Sequence, residues 1–155
     1  MEKADLISNV RVAKAAHIKW VQKAKLLING LDVKEGAIPV DSTECEFGKW
    51  FYDKGQVLNS LTNNTKEEME RIEDLHFILH DQYLEIFNIY FNKVKSGWLC
   101  KILGVKRRNV SDEEQKVAKR YFDSMEIISK DLLEEINKLE QILIAVPEEK
   151  VKSLI

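Results

Sequence analysis

The chain has 155 residues, of which 45% are hydrophobic and 32% are charged, and its formal net charge is −2. That length fits one domain with a hydrophobic core, and the composition is typical of a soluble folded protein. The interspersed charges argue against a nucleic-acid surface, and two cysteines do not make a disulfide framework. The apolar runs are too short to cross a bilayer, and we find no N-terminal signal sequence. We therefore expect a cytoplasmic protein with reduced thiols and no membrane insertion.

The first predicted helix is marked by apolar side chains at gaps of three and four residues. These positions run from Leu6 to Leu31 and include His17, which therefore lies on the buried face. The pair Asn29-Gly30 is a typical stop signal for such a helix.

The other predicted helices begin at capping boxes, in which a serine or threonine precedes a glutamate by three positions. The second helix is short and ends near Asp53, whereas the third and fourth are long. Pro147 ends the fourth helix or lies just beyond it. The predicted capping residues are Thr43, Thr65 and Ser111.

The third helix carries His76 and His80 on an apolar stripe that extends to Val94. The stripe of the fourth helix consists of Ala118, Tyr121, Met125, Ile128, Leu132, Ile136, Leu139 and Leu143. With no strand alternation, the sequence predicts an all-α fold, an antiparallel four-helix bundle of three long helices and one shorter helix that carries the cysteine. We expect a single domain over residues 1–155, with a core at about 3–146 and a tail at 147–155.

Two roles stay open for the segment Trp98–Arg108, which joins the third and fourth helices. Trp98 packs on the end of the bundle, or the aromatic and basic groups form a surface for a partner. Cys100 has no histidine neighbour in the sequence, so we predict that it is a packing residue.

All three histidines of the chain share a pattern with one cysteine, Cys45. His76 and His80 are four positions apart and project from one helix face, and His17 lies on the buried face of its own helix. Three inward imidazoles are costly to desolvate without a shared partner. Together with one thiol they make the ligand set of a closed tetrahedral zinc site. We therefore predict one Zn²⁺ per chain, bound by these four side chains.

The surroundings of Cys45 fit this role. With Thr43 as the N-cap, Cys45 is the second residue of its helix, where unpaired amides and the helix dipole favour the thiolate that binds zinc. Gly48 permits the close approach of another helix, while Trp20 and Trp50 shield the site from water. A carboxylate outside the ligand set is expected to orient a ligating imidazole. The candidates for it are Asp81, Asp74 and Glu46.

These residues resemble the signature of a bacterial family, the chemoreceptor zinc-binding (CZB) domain. That signature is His-x-x-Trp, then Cys-x-Phe-Gly-x-Trp, then His-x-x-x-His. Here it reads His17/Trp20, Cys45/Phe47/Gly48/Trp50 and His76/His80. The motifs span residues 17 to 80, and the helical plan extends the likeness to most of the chain. We expect a stand-alone or excised member, because neither a receptor coiled coil nor a cyclase domain accompanies it.

The resemblance implies a sensory regulator in bacterial chemotaxis or signal transduction. Family members accompany chemoreceptors or diguanylate cyclases, so the implied partner is a signalling protein of that kind, and some members form homodimers. The implied signal is zinc occupancy, or oxidation of the zinc-bound cysteine by an oxidant such as hypochlorous acid. Cys45 is then the redox switch, because oxidation makes it a poorer ligand.

Other functions use similar residues. A purely structural zinc bundle that mediates dimerisation needs the same ligands but no reversible change. A zinc hydrolase needs an open coordination position, whereas four protein ligands close the shell. A di-iron bundle needs carboxylates that do not appear beside these histidines. We therefore expect no enzymatic activity.

Overall fold

The computed structural model describes residues 2–91 and 109–153, and the regular structure of these ranges is helical throughout. The α-helices are α1 (Lys3–Ile28), α2 (Glu46–Tyr52), α3 (Asn63–Phe91), α4 (Asp112–Ala145) and α5 (Glu148–Lys152). Two 3₁₀ helices, η1 (Glu35–Ala37) and η2 (Lys54–Ser60), flank α2. The all-α prediction is confirmed for the described residues, and the antiparallel order of four helices stays a prediction.

The long helix α4 packs along both α1 and α3, and these three helices form most of the core. The short helix α2 packs against α1, and η2 packs against α3 and α2. Each large side chain that is fully buried in this core contributes roughly 1.5–3 kcal/mol. The segment from η1 to η2 therefore covers a site between α1 and α3, while α4 supports both helices from the other side.

Helix α1 follows its predicted stripe and its predicted stop. The buried positions run from Leu6 to Leu27 and include His17, whereas Leu31 lies beyond the helix and is exposed. Gly30 has a φ of +83°, and its N–H donates to the Leu27 carbonyl at 3.1 Å. The N–H of Leu31 donates to the Leu26 carbonyl, also at 3.1 Å. This is the Schellman ending that a glycine after the last turn favours.

Helix α3 begins earlier than predicted, because Thr65 is not its capping residue. The N–H of Thr65 donates to Thr62 Oγ1 at 3.0 Å, and the N–H of Thr62 donates to Thr65 Oγ1 at 3.0 Å. This reciprocal pair is a capping box in which threonine takes the place of the usual glutamate. Glu68 instead forms an ion pair with Arg71 at 2.6 Å. The predicted box was therefore wrong by three residues.

Helix α4 begins as predicted, after Ser111. The N–H of Glu114 donates to Ser111 Oγ at 3.3 Å, and Glu114 Oε2 accepts from the Ser111 N–H at 3.0 Å. The buried stripe of α4 differs from the prediction at two positions. Phe122 and Ser129 are buried, whereas their predicted neighbours Tyr121 and Ile128 are only half-buried. Helical spacing alone does not determine which of two adjacent residues is buried, because this depends on where the partner helices pack.

The end of α4 is close to the predicted one. The helix stops at Ala145, and Pro147 is the N-cap of α5, whose Val151 is buried. Val94, Cys100 and the segment Trp98–Arg108 lie outside the described residues, so their predicted roles stay predictions. Among the helices that the structure describes, none is both long and apolar enough to span a membrane.

We predict that Ser111→Ala lowers the free energy of unfolding by about 1 kcal/mol, because the N–H of Glu114 loses its capping acceptor. For a domain of this size, the expected fall in Tm is roughly 2–4 °C. Ser124→Ala is the matched control, since Ser124 lies within α4 and has no capping role. Thermal unfolding followed by circular dichroism measures both variants, and equal stabilities for the two would contradict the assigned cap.

Candidate metal centre

Cys45 is the N-cap of α2. The capping pattern of the sequence predicted it as the second residue of that helix. Its Sγ accepts a hydrogen bond from the Gly48 N–H at 3.2 Å and lies 3.4 Å from the Ser42 carbonyl oxygen. Thr43 does not cap the helix, which begins at Glu46, and its N–H and hydroxyl instead donate to Asp41 Oδ1 at 2.8 and 2.7 Å. The thiol therefore occupies the capping position and points into the core.

The structure brings Cys45 together with both histidines of α3. Cys45 Sγ lies 3.3 Å from His76 Nε2, and the ring centroids of His76 and His80 are 4.6 Å apart. One donor atom from each of the three residues lies within 4.8 Å of the other two. All three side chains are buried, with exposed fractions of 5% or less. This group is the core of the candidate metal centre.

One hydrogen bond determines which nitrogen of His80 faces the centre. His80 Nδ1 lies 2.7 Å from the Val40 carbonyl oxygen, which can only accept, so Nδ1 carries the proton. The lone pair is therefore on Nε2, which is buried and has no hydrogen-bond partner among the described residues. A buried acceptor without a partner costs roughly 1–3 kcal/mol. A metal ion bound at Nε2 would remove that cost.

The group that orients His80 is a backbone carbonyl and not a carboxylate. Asp81 and Asp74, two of the predicted candidates, are exposed on α3. Glu46, the third candidate, forms an ion pair with Lys49 at 2.7 Å. At His80, the Val40 carbonyl takes the place of the predicted carboxylate, since a carbonyl can also fix the tautomer and the direction of a ligating ring.

His17, the fourth predicted ligand, is buried near the centre but lies outside the group of three. Its Nε2 is 2.9 Å from Ser129 Oγ of α4, and its ring centroid is 6.1 Å from that of Phe47. Neither ring nitrogen belongs to the set of donor atoms within 4.8 Å of one another. The structure therefore assembles three of the four predicted donors, and coordination by His17 stays a prediction.

The donor set and the unpartnered Nε2 of His80 fit zinc, which binds thiolate and imidazole ligands. Residues 17–87 match the sequence model of the chemoreceptor zinc-binding domain. These residues belong to that family. The match includes every predicted ligand and ends within α3, so α4 lies beyond it. The family resemblance drawn from the sequence is confirmed.

One curated relative is similar to part of the chain. The chromosome partition protein Smc of Clostridium kluyveri (strain NBRC 12016) is 34% identical over 70 residues. Those residues make up 45% of this chain but 6% of that protein, so the chain spans a small part of its relative. No solved structure matches the chain significantly.

Burial keeps the imidazoles of the CZB domain neutral. It is the largest cause that lowers the pKa of His17 to about 4 and the pKa of His76 to about 3, and the neighbouring histidines add to both shifts. Burial also lowers the pKa of His80, although the Val40 carbonyl opposes this shift. Neutral imidazoles hold a lone pair available for a metal, which protonated ones do not.

The thiol of Cys45 has the opposite requirement, because zinc binds the thiolate. Burial raises the pKa of the Cys45 thiol, while the N–H groups of Gly48 and Phe47 lower it by a smaller amount. The predicted effect of the helix N-terminus is therefore present, but burial outweighs it. A cation beside Sγ would favour the thiolate, and so metal binding and thiol deprotonation are coupled here.

Aromatic rings enclose the donors. The Trp20 ring lies 4.4 Å from the His80 ring, and the Phe47 ring lies 4.8 Å from the His76 ring. Trp50 packs on Phe47 at 5.6 Å, one layer further from the donors. Trp20 and Phe47 thus shield the centre directly, and Trp50 supports Phe47.

Gly48 allows a close approach of backbone, but of a different segment from the one predicted. A Cβ atom at Gly48 would lie 1.7 Å from the Ser42 carbonyl oxygen and 3.3 Å from the Thr43 Cα. The loop before α2 therefore folds against Gly48, where the sequence predicted another helix. This contact holds the loop and Cys45 in their places.

Two contacts at the centre escaped the sequence analysis. The contact between His80 and Val40 uses a backbone carbonyl, which every residue has, so no residue type in the sequence indicates it. Ser129, however, left a signal, since it is a polar residue at helical spacing between the buried residues Met125 and Leu132. A small polar side chain within an apolar stripe indicates a buried hydrogen-bond partner.

We predict that Gly48→Ala destabilises the CZB domain by about 1–3 kcal/mol, because the new methyl group displaces the Ser42–Thr43 backbone. The displacement also moves Cys45, so zinc affinity falls as well. Gly36→Ala is the control, since a Cβ at Gly36 has no atom within 4 Å. Denaturant unfolding and a competition assay for zinc measure both variants. A Gly48→Ala protein as stable as the control would show that the close approach is unimportant.

Proposed function

We propose that the chain is a regulatory zinc-binding module with one Zn²⁺ per chain. Cys45, His76 and His80 hold the ion, and His17 is the fourth ligand in the fully bound state. The observation that carries this proposal is the buried group of three donors, in which His80 Nε2 has no partner among the described residues. The family match supports the choice of zinc.

The position of α2 makes the proposed module responsive. This helix has only seven residues, and helices of that length are unstable without tertiary contacts. Cys45 directly precedes α2, and its Sγ lies 3.3 Å from His76 Nε2 of α3. A zinc ion would supply the charge that keeps Cys45 as a thiolate. Loss of the bond from Cys45 would then weaken the packing of α2 against the bundle.

The proposed output follows from the family. A chemoreceptor zinc-binding domain supports a role in signal transduction, with a chemoreceptor or a diguanylate cyclase as the partner. A cytoplasmic location accompanies that role. We propose no catalysis, because the matched family is one of zinc-binding sensory domains. The burial of all three donors also leaves little room for a substrate beside an ion.

We predict that the purified chain binds one zinc ion and that Cys45→Ala weakens the binding. Removal of a ligand should cost more than the roughly 10–100-fold that loss of an outer partner costs. Cys100→Ala is the matched control, because it makes the same chemical change at the other cysteine. Elemental analysis and competition with a chromophoric chelator measure stoichiometry and affinity. Equal zinc affinity for the two variants would remove Cys45 from the ligand set.

We further propose that Cys45 is a redox switch. Hypochlorous acid can oxidise its sulfur by two electrons to a sulfenic acid, with chloride as the reduced product. A sulfenic acid is a poorer ligand than a thiolate, so one attachment of α2 to the centre is lost.

The matching prediction is that about one equivalent of hypochlorous acid releases zinc from the wild-type chain and from Cys100→Ala. Mass spectrometry should locate the oxidation at Cys45. Zinc release in step with oxidation at other residues would contradict the switch.

A structural zinc bundle that mediates dimerisation is the second candidate, and one observation favours it. Cys45 has an exposed fraction of only 3%, which limits the access of an oxidant. Zinc that is retained under oxidant, with an unmodified Cys45, would favour this structural role. Sedimentation with and without zinc would then test the dimer.

A further inference from the structure

The contact between His17 and Ser129 links the candidate metal centre to α4. His17 Nε2 lies 2.9 Å from Ser129 Oγ, and both residues are buried. Ser129 lies in the middle of α4, beyond the residues that match the CZB family. A predicted metal ligand is thus held by a residue that the family signature does not include.

This contact occupies the nitrogen in either tautomer of His17. If Nε2 is unprotonated, its lone pair accepts a hydrogen bond from the Ser129 hydroxyl. If Nε2 carries the proton, it donates to Ser129 Oγ and has no lone pair to offer. In both cases Nε2 cannot bind a cation until the contact with Ser129 is broken. Nδ1 also lies outside the group of donor atoms that are within 4.8 Å of one another, so neither nitrogen reaches the centre while the contact holds.

His17 is nevertheless close to the three donors. It lies one turn before Trp20 on the same face of α1, and the Trp20 ring packs on the His80 ring at 4.4 Å. The Phe47 ring packs on His76 at 4.8 Å and is 6.1 Å from the ring of His17. The imidazole therefore borders the centre without reaching it.

We propose that Ser129 is a positioning residue that holds His17 away from the metal centre. His17 then completes the ligand set only by exchanging Ser129 for the metal. This inference rests on the proposed zinc site and adds a regulatory element to it. Because α4 packs along both α1 and α3, the exchange would couple the fourth ligand to the contact between α1 and α4.

The first test is the zinc affinity of Ser129→Ala. Without the hydroxyl, His17 has no competing partner, so we expect zinc to bind roughly two- to tenfold more tightly, as loss of one competing hydrogen bond implies. Ser129→Thr keeps the hydroxyl and should retain the wild-type affinity. Ser124→Ala is the matched control on the same helix, and it should leave the affinity unchanged.

The decisive comparison repeats Ser129→Ala in a His17→Ala background. There the substitution should leave zinc affinity unchanged, because the competition acts only through His17. An effect of equal size in both backgrounds would mean that Ser129 acts through general packing, and it would overturn the proposal. Weaker zinc binding by Ser129→Ala would also overturn it, since Ser129 would then support the bound form.

A measurement on the wild-type chain tests the proposal even if the variants fail to fold. In ¹⁵N NMR of the imidazoles, zinc should move His17 Nε2 from a hydrogen-bonded to a metal-bound shift. If only His76 and His80 respond, the exchange does not occur and the inference fails while the zinc site stands. If the wild-type chain binds no zinc, the proposed function itself fails.

Discussion

The structure depends on the burial of nitrogen and sulfur donors in an apolar core. Cys45, His76 and His80 lie within bonding reach of one ion, and Trp20 and Phe47 cover two of their rings. An imidazole without a partner in such surroundings is costly, and protonation cannot relieve the cost because burial opposes the charged form. One cation would satisfy the lone pairs and stabilise the thiolate together. Burial in this core thus leaves His80 Nε2 without a hydrogen-bond partner among the described residues, and a metal ion would take that place.

The backbone sets much of the geometry around these donors. The Val40 carbonyl fixes the tautomer of His80, and the close contact between Gly48 and Ser42 fixes the loop that carries Cys45. Val40 and Ser42 belong to the irregular segment before α2, and Gly48 lies in the first turn of α2 itself. The α3 ligands, in contrast, lie on a long helix that packs against α4. The centre therefore joins a long helix of the bundle to a short helix and the loop before it.

The features that a sequence can predict here are those that depend on periodicity or on residue type. The stripe of α1, the stop at Gly30 and the cap at Ser111 follow from local rules, and the structure confirms them. The pairing of His76 with His80 follows from helical spacing. The cap at Cys45 was missed because a thiol is not among the usual capping groups, whereas Thr43 matches the capping pattern but donates to Asp41. The contacts of His80 with Val40 and of His17 with Ser129 are tertiary, so local sequence rules do not predict them.

His17 shows that a ligand motif does not by itself determine whether a residue is free to bind the metal. The motif identifies the residue, but the structure gives its Nε2 a partner on a helix that lies outside the motif. In the exchange proposed above, the Ser129 hydroxyl competes with the ion for His17 Nε2, whereas an apolar side chain at position 129 would leave that nitrogen free. Domains with identical ligands can therefore differ in zinc affinity through one position on the supporting helix. For a sensor this matters, because affinity determines the zinc concentration at which the bound state gives way to the free one.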